Sequence, residues 1–138
     1  MRKLFAMMSL GLMVSCAISQ SKELPYKEDV DTKGKSVFEN GTLKVSNPEL
    51  EYEVLIFDPN FEAWFRSFAK PRGFYSLNFL EMKNRIWVIN FNSRSRMGSK
   101  GHDYTIDYHS DINYGYEVNY MLYNYLLYFQ QSNRISLE

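Results

Sequence analysis

The chain has 138 residues, with sixteen basic and sixteen acidic side chains and no run of lysines or arginines. A chain this close to neutral lacks the electrostatic footprint that phosphate backbones require, so nucleic acid is excluded as a partner. Aromatic residues make up 17% of the chain and cysteine occurs once, at Cys16, so large rings are plentiful but an internal disulfide is ruled out.

At the N-terminus Arg2 and Lys3 precede LFAMMSLGLMV, a run the length of a signal-peptide core and too short to span a membrane. It ends in Met13-Val14-Ser15-Cys16, which resembles the lipobox of bacterial lipoproteins, with Met13 where leucine is usual. That resemblance implies cleavage after Ser15, a diacylglycerol thioether on Cys16 and further acylation with chains such as palmitate. Residues 1–15 are therefore expected to be a lipoprotein signal peptide, and the membrane a partner through the lipid on Cys16. Two or three acyl chains give stable anchoring where one does not. Ala17-Ile18-Ser19-Gln20 carries no acidic residue of the kind that directs surface display, so the expected location is the cell envelope, on the outer membrane facing the periplasm.

From residue 17 to 48 the composition turns to Ser, Lys, Glu, Asp, Gly and Asn, too poor in large apolar residues to offset the entropy of ordering. Residues 16–48 read as a flexible tether with a reach of about 30 Å, and a cut before Pro48 is expected to leave the domain intact. Within it, Asn40-Gly41 reads as a turn.

Residues 49–138 remain for one domain. Residues 51–57 alternate and then become continuously apolar, which predicts a strand buried at its far end. Asp58-Pro59 supplies a cap and a first-turn proline for a helix over 60–69, with Phe61, Trp64, Phe65 and Phe68 on one face. Lys70-Pro71-Arg72-Gly73 stops it. Residues 76–94 predict one long helix with Leu77, Leu80, Trp87, Val88 and Phe91 on a shared face and Glu81 and Arg85 paired beside it; a strand over 85–92 is the alternative. Residues 104–109 alternate again and predict a second strand, paired with 51–57.

The last segment carries six tyrosines between Tyr114 and Gln131. A helical projection puts Val118, Met121, Leu122, Tyr125, Leu126, Tyr128 and Phe129 on a broad core face, and Tyr116, Tyr120 and Tyr123 on a narrower stripe. Glu117, Asn119, Asn124, Gln130 and Gln131 exclude a membrane span, which needs about 20 apolar residues. Asn113 is the candidate cap, with Glu117 at the positive end of the helix dipole. The fold class expected is α+β, a small domain of three helices and a two-stranded sheet behind a signal peptide and tether.

EYEVLIFDPNFEAWF, KPRGFYSLNFLEMKN, WVINFNSR and IDYHSDINYGYEVNYMLYNYLLYFQ together resemble an uncharacterised family of small envelope lipoproteins of Bacteroidota, a domain of unknown function, over residues 26–131. The resemblance implies an envelope setting and brings no activity. Relatives carry Glu-Trp-Asn where this chain has Asn90-Phe91-Asn92, so no role of that glutamate transfers.

Two constellations could carry chemistry. The Tyr116, Tyr120 and Tyr123 stripe, if open, is a candidate binding platform for an envelope protein or glycan. His102, Asp103, Asp107, His109 and Asp111 form the densest polar cluster, and alternation puts Asp107, His109 and Asp111 on one face, where a divalent metal could be held. No second histidine sits at a fixed zinc-motif spacing, there is no Gly-x-Ser-x-Gly and there is no phosphate loop. No cofactor is expected. The favoured reading is therefore a membrane-anchored binding or structural module rather than an enzyme. The alternative is a small envelope hydrolase or metal-dependent enzyme using His102, His109 and nearby acids.

Overall fold

The computed structural model describes residues 34–99 and 103–138. Three antiparallel strands, β1 (Lys35–Glu39), β2 (Thr42–Asn47) and β3 (Tyr52–Phe57), lead into three helices, α1 (Pro59–Phe68), α2 (Leu77–Arg96) and α3 (Gly115–Asn133). The α+β class stands, but the sheet is a three-stranded meander in the order β1-β2-β3, not a pair.

Both additional strands lie in residues 35–47, the part of the chain expected to end the tether. The signal for them was local. Asn40 and Gly41 both take positive φ, 49° and 77°, as a tight two-residue hairpin turn requires. Each flanking run alternates, placing Phe38, Leu43 and Val45 inward with Ile56 of β3. Few apolar residues per strand hid this pattern, yet Leu43 and Val45 are fully core. A cut before Pro48 would remove both of them, so it is expected to destabilise the domain rather than leave it intact. Pro48 instead sits in the β2–β3 turn, where the Asn47 side chain accepts a hydrogen bond from the Glu49 amide at 3.1 Å.

The helices follow the sequence closely. Asp58 caps α1 by accepting from the Asn60 amide at 3.0 Å, and Ser76 caps α2 by accepting from the Phe79 amide at 3.2 Å. On α1 Phe61 is fully buried with Trp64 and Phe65 packed beside it, whereas Phe68, expected on the same face, is exposed. The buried residues Leu80, Asn84, Trp87, Val88 and Phe91 recur at helical spacing on α2, which removes the strand alternative for 85–92. Helix α3 is buried from Gly115 through Leu126 and lies between the sheet and α2. None of the helices among the described residues is long and apolar enough to cross a membrane. The C-terminal residues fold back on α2 and α3, burying Leu137, whose amide donates to Gln130 and whose carbonyl accepts from Asn90.

Residues 104–109 are not a strand. The Asn92 side chain accepts from the Ile106 amide at 2.7 Å and donates to the Ile106 carbonyl at 2.8 Å. One amide side chain thus imitates a neighbouring strand. The alternation of Tyr104, Ile106 and Tyr108 still marks which side chains turn inward, since Ile106 and Tyr108 pack on the core.

Candidate functional site

The tyrosine stripe is covered by the chain itself. Tyr116, Tyr120 and Tyr123 are 0%, 2% and 6% exposed, so they present no open platform in this fold. The loop that follows α1 lies over them, and their hydroxyls hold it. Tyr116 accepts from the Gly73 amide at 2.8 Å and donates to the Tyr75 carbonyl at 3.0 Å, while Tyr120 donates to the Lys70 carbonyl at 2.5 Å. Tyr123 stacks on Trp87 with ring centres 5.1 Å apart. Burial pushes the Tyr120 hydroxyl up to about 12 and raises Tyr123 as well.

Beside this loop sits a charged knot that sequence reading missed. Arg72 donates from Nε and Nη2 to both carboxylate oxygens of the buried Glu117, at 2.7 and 2.6 Å, and its guanidinium lies 4.9 Å from the centre of the Tyr120 ring. Ser36 of β1 donates to the same carboxylate at 2.5 Å. The Glu117 hydrogen bonds raise Arg72 above its ordinary value. Gly34 passes so close that a Cβ there would meet the Glu117 side chain at 2.7 Å. The cluster fastens the start of β1, the 70–75 loop and α3 together, and every polar atom named in it has a partner.

Of the expected metal candidates, Asp103, Asp107, His109 and Asp111 lie exposed at the surface. The His109 Nε2 and an Asp107 carboxylate oxygen lie 2.8 Å apart, with side chains 60% and 87% exposed. His102 and Cys16 lie outside the described residues. Among the described residues no group of three or more His, Cys, Asp or Glu side chains is placed to hold a metal ion.

The concave feature lies on the other side of α3. A groove of about 790 Å³ opens between β3 and residues 104–107. Its floor is Val118, Leu122, Tyr125 and Phe129, at helical spacing on the broad face of α3. Residues 52–58 line one wall without a gap. Side chains on a strand alternate between faces, so a cavity that meets each of them runs along the strand's edge. That edge is open among the described residues, because β3 pairs only with β2. The opposite wall is the segment that Asn92 fixes from behind. At one end Tyr52 closes the groove by donating to the Asp107 carbonyl at 3.0 Å, and burial pushes the Tyr52 hydroxyl up to about 12. Tyr104 and Tyr125 share a hydrogen bond through their hydroxyls, and burial raises both. Periodicity marked the floor residues as apolar. It could not mark them as bordering open space, because the walls, residues 52–58 and 104–107, both precede this helix in the chain and only the fold brings them beside it.

This is a small α+β domain in which, among the described residues, the β3 edge of the sheet runs unpaired beside an apolar groove. The chain belongs to a family of unknown function (DUF6146), whose model matches residues 4–138. No curated protein matches the chain, and no solved structure does.

Proposed function

We propose that the protein is a lipid-anchored binding module of the bacterial envelope that holds its ligand in the groove between β3 and residues 104–107. The observation that carries the binding reading is the groove itself, whose volume of about 790 Å³ lies within the range of ligand sites. It joins an apolar floor to a strand edge that is unpaired among the described residues. The anchor rests on the leader and Cys16. The family match begins at residue 4 and so takes in that segment along with the domain, which supports treating the two as one unit. The proposed setting is the outer membrane of a member of the Bacteroidota, with the domain facing the periplasm.

The anchor is tested by growing bacteria that express the full chain with a clickable palmitate analogue. The wild-type protein takes up label and sediments with membranes, while Cys16→Ala does neither. A Cys16→Ala protein that sediments and labels like wild type overturns the anchor. Protease added to intact cells leaves the chain uncut if the domain faces the periplasm, and digestion overturns that orientation.

A further inference from the structure

We propose that the occupant of the groove is an extended peptide of alternating apolar and basic residues, which adds to β3 as a fourth strand. The proposal rests on the binding reading above and names its partner class.

The edge of β3 offers a row of backbone donors and acceptors with no neighbour among the described residues, the template on which strand addition works. The groove has a backbone on each side, the edge of β3 and residues 104–107, and Tyr52 ties the two walls together at one end through the Asp107 carbonyl. The Tyr52 bridge closes that end, so the open end lies by Phe57 and Tyr104. Both are exposed aromatics, Phe57 by 76%, and an entering chain would cover them.

Charge selects the peptide. The groove is lined by Glu53, Asp58 and Asp107 and by no lysine or arginine. Lys44 reaches Glu53 from β2 at 2.9 Å and Asp58 accepts from the Asn60 amide, so the charge on the rim is partly answered and its balance stays negative. An extended peptide presents successive side chains to opposite sides. One set would meet Val118, Leu122, Tyr125 and Phe129; the other would stand at the acidic rim. Apolar residues in the first set and lysine or arginine in the second fit both surfaces.

The test is a titration of the full chain, in detergent micelles, with capped six-residue peptides, following backbone amide signals. The Lys-Val repeat is expected to bind one to one and to shift the amides of β3 and residues 104–107. The Glu-Val repeat should bind at least tenfold more weakly. N-methylating alternate residues of the Lys-Val peptide removes donors along one edge, and in at least one of the two phases should cost tenfold or more. Asp107→Lys, at an exposed position, should weaken the Lys-Val peptide at least threefold without moving the melting temperature. Equal binding of Lys-Val and Glu-Val repeats, or full affinity in both methylated phases, overturns the proposal. If no peptide binds but laurate shifts the same amides, the peptide proposal falls and the binding reading stands. If neither peptide nor laurate shifts them, both fall.

Discussion

On one side of α3, Tyr116, Tyr120 and Tyr123 lie under residues 70–75; on the other, Val118, Leu122, Tyr125 and Phe129 lie beneath an open groove. The two sides differ in what they offer a covering backbone. A tyrosine ring buries area while its hydroxyl satisfies a carbonyl or an amide, so an irregular loop can lie on such a surface without losing its hydrogen bonds. On the groove floor Tyr125 shares its hydroxyl with Tyr104, and the valine, leucine and phenylalanine have no such group to give. Whatever covers them must pair its backbone elsewhere, and the edge of β3, unpaired among the described residues, is where that pairing is on offer. The stripe expected to recognise a partner thus recognises the protein's own loop, while the face expected to be core is core, and part of it also lines the groove.

The largest expected effect reaches both sides at once. Burial pushes Tyr120 on the covered side, Tyr52 at the groove, and Tyr108, which donates to Asn119 of α3, up to about 12. Unfolded tyrosine ionises near pH 10. Above that pH the unfolded chain releases protons that the folded one retains, so stability is full below about pH 10 and is lost as pH rises towards 12. Circular dichroism and tyrosinate absorbance should change together; ionisation well before unfolding would show that the hydroxyls are more accessible than their burial implies.

Single substitutions then separate the sides. Tyr116→Ala, which removes a fully buried ring and both of its bonds to the loop, should cost about 3 to 5 kcal/mol in urea unfolding. Arg72→Ala strands the buried Glu117 carboxylate. Breaking a buried pair costs about 3 to 5 kcal/mol, and with the Arg72 side chain 42% exposed about 2 kcal/mol is expected here. Leu122→Ala on the groove floor should come in near the bottom of the usual range, about 2 kcal/mol, because one side of that residue already borders open space. A cost equal to that of Tyr116→Ala would erase the distinction between the sides. Tyr120→Phe keeps the ring and leaves the Lys70 carbonyl without its hydroxyl partner, a loss of about 1 kcal/mol; it should loosen residues 70–75 in hydrogen exchange and leave residues 104–107 unchanged.

Much of this fold could be read from neighbouring residues alone. Asp58-Pro59 and Ser76 start their helices through bonds that span two or three positions, and the spacing of Leu80, Trp87, Val88 and Phe91 fixes a helix without reference to anything outside it. The run 52–57 is a strand on the same grounds. What the tertiary structure decided involves partners far apart in the chain. Residues 35–47 become strands because Leu43 and Val45 find α3 and because Ser36 meets Glu117 81 positions away, so a polar composition that promised no core acquires one. Residues 104–109 alternate like a strand, yet a single asparagine on α2 takes the place that β3 was expected to fill, and the space left between them is the groove. Periodicity tells which face of an element is apolar. Whether that face is met by a loop, a helix or nothing depends on where the other elements end, and only the folded chain holds that information.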